Sequence, residues 1–485
     1  MIATPRLVVA AAQSGAGKTT VATGLMAALA RRGLRVQPYK VGPDYIDPTY
    51  HTVATRRPSR NLDSWMFGED ALRALAARTM RDADLALIEG VMGLYDGAGA
   101  ASEAGSTAQV ARCLAAPVLL VLDARGMART AAPLLRGLQA FDPALRIAGV
   151  IFNNVGSEGH YQLLCEVVRT YVEGVEPVGY LPKQASIRTP ERHLGLVPSY
   201  EHSQVAAYLD SLADLVSRTV DLEAVLRLAR SSGPLPAPEV SLTPISPSRT
   251  APGSVPEPAG EPEPARPVRI GLARDEAFHF YYEDGLDVLR SLGAELVTFS
   301  PLRDGALPPD LDALYLGGGF PEVYRRELAG NAPLRLDVGR AIAADMPVYA
   351  ECGGLMFLSE AIVDGDGLEW PMIGAIPVKA RMQQRLASLG YVTAVAQGET
   401  LLARPGETLT GHEFHWSVLD QRPPGWEPAY LATTRRGGTR PEGFWRRRLL
   451  ASYVHVHFAA QPAAAARFVA AARAYQEERQ EGFRS

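Results

Sequence analysis

The stretch that most constrains the fold is residues 6–20, RLVVAAAQSGAGKTT. It begins with an apolar run, residues 7–11, that is long enough for one buried strand. A glycine-rich turn follows at once, and the segment VATGLMAALARRG after it has the apolar spacing of a helix. Strand, glycine loop and helix in this order predict a phosphate-binding loop.

The loop sequence also predicts how a nucleotide is held. The consensus G-x-x-x-x-G-K-[ST] is met at Gly17, Lys18 and Thr19, although Ala12 replaces its first glycine. Lys18 would reach the outer phosphates, and the Thr19 hydroxyl would bind Mg²⁺. Backbone N–H groups would wrap a polyphosphate at the helix N-terminus, where the helix dipole favours anions. We therefore expect the nucleotide to be bound by Ser14, Gly15, Ala16, Gly17, Lys18, Thr19 and Thr20.

The composition excludes several classes of protein. A chain of 485 residues with 47% hydrophobic residues is expected to form two or three domains with folded cores. Its net charge of −4 provides no basic field for nucleic acid. No apolar run is long enough to span a bilayer and no signal-peptide pattern is present, so we expect no membrane partner. Three scattered cysteines indicate a reducing cytoplasm.

Lysine is rare in this chain, which makes each lysine informative. Of the 49 Lys and Arg residues, only four are lysine: Lys18, Lys40, Lys183 and Lys379. Where arginine is the usual cation, a retained lysine marks a site that needs a compact ammonium group. Two of the four lie in or near the phosphate loop.

Acidic residues follow two of the predicted strands in the N-terminal half. Asp44 and Asp47 lie in a proline-stiffened loop, VGPDYIDPTYH, after the predicted strand 33–40. Glu89 ends the strand in DLALIEGVMGLYDG, and Asp96 lies in the loop after it. Ligands of open α/β sheets bind at such strand ends, and a carboxylate beside a phosphate loop suits Mg²⁺ binding or water positioning. Turn formation by Asp-Pro is the alternative role for Asp44 and Asp47.

Strands and helices alternate through the N-terminal half. One further predicted strand, 147–154, ends in two asparagines, a usual place for amides that read adenine. The β-α period predicts a parallel, doubly wound sheet for residues 1–232. Residues 233–267 are rich in Pro, Ser, Glu and Gly and predict an extended linker. A second α/β domain is predicted for residues 268–485.

The segment MPVYAECGGLMFLSEAI, residues 346–362, predicts a nucleophile. An apolar strand runs into Cys352 and then into an apolar helix, the elbow that exposes a nucleophile where a thiolate is favoured. The elbow needs small neighbours, which Ala350, Gly353 and Gly354 supply. The alternative is a buried structural cysteine.

A base for Cys352 has to come from elsewhere in the chain. The segment LLASYVHVHFAAQP, residues 449–462, predicts a strand with His455 and His457 on one face, and either could pair with Cys352. The segment GHEFHWS adds polar groups that lie either near the same cleft or in the core with satisfied hydrogen bonds. They are His412, Glu413 and His415.

The C-terminal half resembles the class I glutamine amidotransferase domain. The resemblance makes Cys352 the nucleophile and His455 its base, and it places the oxyanion loop at residues 317–319, with Gly318 and Gly319 holding the oxyanion. That class usually carries a Glu two residues after the base, where this chain has His457. The sequence is therefore similar to the cobalamin-pathway branch, in which a Cys-His pair suffices, and the third group stays open.

The N-terminal half resembles the ATP-binding fold of dethiobiotin synthetase. Within that group, SGAGKTT, VGPDYIDPTYH and IEGVMGLYDG are similar to the cobyrinate a,c-diamide synthase family. In the C-terminal half, ARDEAFHFYYEDGLDVL and GHEFHWS are similar to the same family. The resemblance covers both halves and omits only the linker.

The resemblance implies a ligase of cobalamin biosynthesis. It would amidate the a and c carboxylates of cobyrinic acid through acyl phosphates, in an N-terminal amidoligase domain fed by the C-terminal amidotransferase domain. ATP, L-glutamine and a corrinoid are the implied partners, Mg²⁺ is the implied cofactor, and a homo-oligomer stays open. The implied metal ligands are Thr19, Asp44 and Glu89, and the residues implied for substrate or transition state are Asp44, Asp47, Glu89 and Asp96.

Two alternative functions remain at this stage. One is the same amidation on hydrogenobyrinic acid or nickel-sirohydrochlorin, which the motifs do not separate from cobyrinic acid. The other is a switch ATPase of the ParA/MinD type, which shares the variant phosphate loop. Such a switch would not need Cys352, His455 or a second α/β domain.

Overall fold

The structure, a computed structural model, describes residues 3–183, 191–192, 195–196, 198–201, 204–235, 266–435 and 437–482. Contacts divide the chain into two compact units, Met1–Val240 and Ser241–Ser485. Most of the predicted linker 233–267 lies outside the described residues. Within the described ranges, no helix is both long enough and apolar enough to cross a bilayer.

The first unit is built on a parallel sheet. Its strands are β1 (Arg6–Ala11), β2 (Val36–Val41), β3 (Arg60–Leu62), β4 (Leu85–Glu89), β5 (Val118–Asp123), β6 (Ile147–Val155) and β7 (Glu176–Pro182). They lie in the order β3-β2-β4-β1-β5-β6-β7, and every neighbouring pair is parallel. The predicted doubly wound α/β fold is confirmed.

Helices connect and cover these strands. They are α1 (Lys18–Arg31), α2 (Asp47–Thr55), α3 (Ser64–Phe67), α4 (Glu69–Thr79), α5 (Thr107–Cys113), α6 (Ala131–Phe141), α7 (Glu158–Tyr171), α8 (Val205–Thr219) and α9 (Leu222–Arg230). A short ribbon, β8 (Glu191–Arg192) with β9 (Gly195–Leu196), and a 3₁₀ turn at Ser199–Glu201 precede α8. The core between sheet and helices is almost wholly aliphatic.

The strand order brings the sequence motifs of the first unit together. β1 lies beside β4, and β4 lies beside β2. In register, Glu89 of β4 is opposite Val9 of β1 on one side and Lys40 of β2 on the other. Because parallel strands end at the same edge, the loops after β1, β2 and β4 meet there.

The second unit is built on a mixed sheet. Its strands are β10 (Val268–Ala273), β11 (Phe278–Phe280), β12 (Ala294–Phe299), β13 (Ala313–Leu316), β14 (Gly318–Gly319), β15 (Val348–Glu351), β16 (Ser359–Val363), β17 (Glu369–Pro371), β18 (Ile376–Met382), β19 (Ser388–Ala396), β20 (Thr408–His415), β21 (Ser417–Leu419), β22 (Glu427–Thr434), β23 (Thr439–Arg446), β24 (Leu449–Ser452) and β25 (His455–Val456). Ten of them form the main sheet, in the order β12-β10-β13-β15-β24-β23-β22-β19-β20-β25. The helices are α10 (Glu283–Ser291), α11 (Arg325–Gly330), α12 (Ala332–Ala343), α13 (Gly353–Leu358) and α14 (Pro462–Gly482).

The prediction of one continuous strand within residues 449–462 is wrong. β24 ends at Ser452, and β25 is a separate two-residue strand that pairs with β20. Side chains satisfy the backbone at the break: the Val454 N–H donates to Ser452 Oγ (2.9 Å), and the Tyr453 N–H donates to the Glu442 carboxylate (2.8 Å). The break therefore costs no unsatisfied backbone donor, and it moves His455 out of the line of β24.

Candidate active sites

The phosphate loop has the backbone geometry that its sequence predicts. Gly17 precedes the first residue of α1 and has a left-handed backbone, φ 91°. The left-handed backbone favours glycine, and a Cβ at that position would also lie 2.1 Å from Asn153 Nδ2 and displace this side chain. Asn153 Nδ2 in turn donates to the Ala16 carbonyl oxygen (2.9 Å). One of the two asparagines expected to read adenine thus supports the phosphate loop.

The loop offers its N–H groups on an accessible surface. Ser14 and Gly15 are exposed, and Gly17 provides no side chain that caps α1. Uncapped N–H groups at a helix N-terminus bind anions well. Lys18 lies under the loop, where its Nζ donates to the Met92 carbonyl oxygen. Burial, and then the neighbouring Lys40, lower the pKa of Lys18.

Behind the loop, four polar side chains form one contiguous group, which we call the acidic cluster. Thr19 Oγ1 donates to Glu89 Oε1 (2.6 Å) and lies 3.2 Å from Asp47 Oδ2. Lys40 Nζ donates to Asp47 Oδ2 (2.6 Å) and to Glu89 Oε1 (2.9 Å). The predicted residues Thr19, Asp47 and Glu89 are therefore brought together. Lys40 joins them, which the sequence indicated only through the rarity of lysine.

The two acids of the cluster differ in electrostatics. Burial raises the pKa of Glu89, but Lys40 and a hydrogen bond from His51 outweigh it and hold that pKa below its usual range. His51 Nε2 lies 2.6 Å from Glu89 Oε2. Burial, followed by the negative charge of Asp44, raises the pKa of Asp47 to about 8 although Lys40 opposes the change. Glu89 is the carboxylate held ionised. No role for His51 was predicted from the sequence.

The other two predicted acids hold their own loops. Asp44 Oδ1 accepts the N–H groups of Ile46 (2.8 Å) and Asp47 (3.1 Å), while its Oδ2 lies 3.9 Å from Lys40 Nζ. Asp96 Oδ2 accepts the Gly93 N–H (2.7 Å). Asp44 thus stabilises the turn before α2 and also lies at the edge of the acidic cluster. Asp47, which we expected to contact the substrate and not the metal, lies beside the predicted metal ligand Thr19.

The donor set of the acidic cluster fits Mg²⁺ bound to a nucleotide. Mg²⁺ takes oxygen ligands and at phosphate sites uses one or two carboxylates, with phosphate and water completing the shell. Thr19 and Glu89 supply a hydroxyl and a carboxylate at the foot of the phosphate loop. In the described part of the chain, no group of three or more His, Cys, Asp or Glu side chains has the arrangement of a metal site. The hydroxyl of Thr19 and the carboxylate of Glu89 fit a metal whose remaining ligands are phosphate and water.

Lys40 is expected to stabilise the first unit strongly. Lys40→Met leaves the ionised carboxylate of Glu89 buried without its cation and Asp47 without its hydrogen-bond donor, which should lower the free energy of unfolding by about 3–5 kcal/mol. The matched control is Arg32→Met, which breaks an exposed ion pair with Glu223 (2.8 Å) and should cost less than about 1 kcal/mol. Hydrogen exchange of β1 and β4 amides, followed by mass spectrometry, reports the difference within this unit. Equal protection in the two variants would contradict this account of the cluster.

In the second unit, Cys352 occupies the predicted elbow. It lies between β15 and α13 with φ 47° and ψ −99°, an unusual backbone for a residue with a Cβ. A Cβ at Gly354 would lie 2.1 Å from the Leu316 carbonyl oxygen, and one at Gly353 would lie 3.0 Å from the Gly319 nitrogen. Close backbone approach thus requires glycine at position 354 and leaves little room for a side chain at position 353.

The predicted thiolate is not supported by the surroundings of Cys352. The residue is 4% exposed, and burial, followed by the charge of Glu322, raises the pKa of its thiol above the usual range. The Gly353 N–H opposes this change and does not overcome it. Because α13 has only six residues, its dipole offsets little of the rise in the pKa of Cys352 that burial causes. The raised pKa favours the thiol form of Cys352 over the thiolate.

The glycine loop lies between the elbow and the histidine. A Cβ at Gly318 would lie 2.5 Å from His455 Cε1, and the ideal Cβ of Gly353 reaches the Gly319 nitrogen as described above. The Gly317 N–H donates to Tyr281 Oη (2.8 Å), so it is used within the protein. The arrangement places Gly318 beside His455 and Gly319 beside Gly353, the residue after Cys352.

The remaining predicted histidines have different surroundings. His412 is opposite His455 in the β20–β25 register, and their rings stack with centroids 4.9 Å apart. Burial, followed by His455 and His457, lowers the pKa of His412 well below its usual range. His457 stacks on Tyr282 with centroids 4.1 Å apart.

Two other polar groups from the same segment belong to the core. His415 lies 2.8 Å from the Ser417 carbonyl oxygen through Nδ1 and stacks on Tyr453. Glu413 accepts hydrogen bonds from Arg440 and from Ser388 Oγ (2.8 Å). The sequence left this choice open. Glu413 has the contacts of a core group with satisfied hydrogen bonds, whereas the buried His415 Nε2 has no hydrogen-bond partner among the described residues, and the Phe414 carbonyl oxygen between them lies 3.9 Å from Cys352 Sγ.

Both units match known families. Residues 7–197 match the CobQ/CobB/MinD/ParA nucleotide binding domain, and residues 269–463 match the CobB/CobQ-like glutamine amidotransferase domain. A cobyrinate a,c-diamide synthase of Syntrophotalea carbinolica is 47% identical over 96% of this chain and 98% of its own. That of Dehalococcoides mccartyi is 43% identical over 96% of this chain and 97% of its own. A hydrogenobyrinate a,c-diamide synthase of Streptomyces coelicolor is 46% identical over 96% and 97% of the two chains.

Proposed function

The chain belongs to the cobyrinate a,c-diamide synthase family, and from this premise we propose that it amidates the a and c carboxylates of cobyrinic acid with ATP and glutamine. One observation carries the proposal: a single chain holds a phosphate loop backed by the acidic cluster, and also the Cys352 elbow with a glycine loop that lies next to His455. Each fits one half of a glutamine-dependent ligase reaction. A switch ATPase would need only the first, and the relatives match through both units.

The first half of the reaction makes the carboxylate reactive. A carboxylate does not react with ammonia at neutral pH until one of its oxygens becomes a leaving group. In the proposed step, a substrate carboxylate oxygen attacks the γ-phosphorus of ATP, ADP leaves, and an acyl phosphate forms. Lys18 and the loop N–H groups hold the phosphates in line. Ammonia then attacks the acyl carbon, and phosphate leaves with one oxygen of the original carboxylate.

In this step we assign metal binding and substrate orientation to the acidic cluster and the acids next to it. Thr19 and Glu89, with Asp44 at the edge of the cluster, would hold Mg²⁺, which supplies charge neutralisation at the phosphates when bound. Lys40 keeps Glu89 ionised in a buried place. Asp47 is the first residue of α2, so the predicted loop 41–51 ends earlier than expected, and Asp96 lies in the loop after β4. We assign both to orienting the substrate carboxylate.

The second half of the reaction releases ammonia from glutamine. His455 takes the proton of the Cys352 thiol as the sulfur attacks the amide carbon, and Gly318 and Gly319 stabilise the oxyanion. The proton then passes to the departing nitrogen, so ammonia leaves and a thioester remains. Water hydrolyses the thioester to glutamate and restores the thiol. The raised pKa of Cys352 supports proton transfer during attack, since it leaves little thiolate beforehand.

The choice of macrocycle is tested by product mass. The enzyme is incubated with ATP, glutamine and either cobyrinic acid, hydrogenobyrinic acid or nickel-sirohydrochlorin, and the number of amides formed is counted by mass spectrometry. We expect two amides on cobyrinic acid. Hydrogenobyrinic acid is the second candidate because of the Streptomyces coelicolor relative. If no amide forms on either cobyrinic acid or hydrogenobyrinic acid, the proposed substrate class is wrong.

A further inference from the structure

We propose that Glu351 is the positioning residue for His455. In the class I glutamine amidotransferase domain, a Glu two residues after the base usually fills this role. The inference rests on the proposed function, since it requires His455 to be the base for Cys352. The sequence left this third group open because His457 stands at the usual position. The structure assigns the role to the residue directly before the nucleophile instead.

The distances and burial support this assignment. Glu351 Oε2 lies 3.6 Å from His455 Nδ1, and each side chain is 2% exposed or less. Glu351 Oε1 accepts the N–H of Val456, the residue after the base (2.9 Å). The carboxylate therefore contacts both the imidazole and the backbone of β25, and it links the strand of the nucleophile to the strand of the base.

The carboxylate itself is rigidly held. Tyr315 Oη donates to Oε2 (3.0 Å), and Tyr349 Oη donates to Oε1. Together with the Val456 N–H, all three of these partners are donors, which is what an acceptor-only carboxylate requires. A buried acid held by two tyrosines beside a catalytic histidine is pre-organised to direct that ring.

The separation of 3.6 Å between Nδ1 and Oε2 exceeds a hydrogen bond by a few tenths of an ångström. Contacts of this kind are commonly long before substrate binds and shorten when the imidazole becomes charged. A carboxylate on this side of the ring favours the tautomer in which Nδ1 carries its proton toward Glu351, which leaves Nε2 to take the thiol proton. His457 does not fill the role, because its ring stacks on Tyr282 and its Nδ1 accepts the Ala459 N–H (3.3 Å).

The test is glutaminase kinetics of Glu351→Gln. The amide keeps the shape of the side chain but presents a donor to Nδ1, which favours the wrong tautomer. We expect kcat for glutamine hydrolysis to fall about 100-fold, with little change in KM because Glu351 contacts only protein. The matched control is Asp312→Asn, a buried acid at the start of β13 that accepts the Arg269 N–H (2.8 Å) and should keep full glutaminase activity.

A second measurement needs no variant of Glu351. Nitrogen-15 NMR of histidine-labelled wild-type enzyme, with His455 assigned through His455→Gln, reports which ring nitrogen carries the proton. We expect the Nδ1–H tautomer of His455. An Nε2–H tautomer, or an unchanged kcat in Glu351→Gln, would overturn the inference even if one variant fails to fold. Failure of the proposed function looks different, because Cys352→Ser and His455→Gln would then still hydrolyse glutamine.

Discussion

Cys352→Ala is expected to lose synthesis with glutamine by at least about 1000-fold while retaining synthesis with ammonium chloride at raised pH. In the proposed mechanism the thiol is required only to release ammonia from glutamine, whereas the acyl phosphate would form in the first unit and react with any ammonia present. Raised pH matters because free NH₃, and not ammonium, is the nucleophile. The measurement is corrinoid diamide formed with each nitrogen source.

A matched control separates this effect from the loss of any buried cysteine. Cys165 is buried in α7 of the first unit, with no catalytic assignment, and Cys165→Ala should use glutamine and ammonia like the wild type. If Cys352→Ala uses glutamine at the wild-type rate, the second unit is not the amidotransferase. If it fails with ammonia while remaining folded, Cys352 has a role beyond glutamine hydrolysis.

Lys18→Ala and Glu89→Gln are expected to fail with both nitrogen sources, each by at least about 1000-fold. Lys18 is the only cation assigned to the outer phosphates, and Glu89 is assigned to the metal and bonds directly to Thr19 (2.6 Å). Without phosphoryl transfer the carboxylate has no leaving group, so added ammonia cannot rescue synthesis. Diamide formation and ADP release are measured together with glutamine and with ammonium chloride.

Lys379→Ala is the control for the lysine variant. Its Nζ pairs with Glu369 (2.7 Å) at the surface of the second unit, and this variant should retain wild-type synthesis. Normal turnover in Lys18→Ala would remove the phosphate-loop mechanism. Rescue of Glu89→Gln by ammonia would instead place Glu89 in the delivery of nitrogen.

Local patterns in the sequence predicted the parts of the fold that depend on local physics. The phosphate loop needs glycine at position 17 for a left-handed backbone, and the elbow needs glycine at position 354 for close approach. Both requirements can be recognised in the sequence as glycines within a short motif. The acids at the ends of β2 and β4 were predictable for a related reason, because parallel strands end at one edge of the sheet.

Contacts between residues that are distant in the sequence were harder to predict. Lys40 and Glu89 are 49 positions apart, and only their register in β2 and β4 brings the ammonium to the carboxylate. Glu351 and His455 meet only because β24 breaks before β25, where alternation alone predicted one strand. The pKa of Cys352 also depends on residues that are distant in the sequence. The helix after Cys352 predicted a thiolate, but burial by the surrounding fold raises the pKa of the thiol by more than the helix lowers it.

The central claim is that each amide forms through an acyl phosphate of the corrinoid carboxylate. It is tested most directly with cobyrinic acid whose a and c carboxylates carry oxygen-18, incubated with the enzyme, ATP and glutamine. The mechanism predicts one oxygen-18 atom in the inorganic phosphate for every amide formed, since the bridging oxygen leaves with phosphorus. Inorganic phosphate free of oxygen-18, formed alongside the diamide, would contradict it.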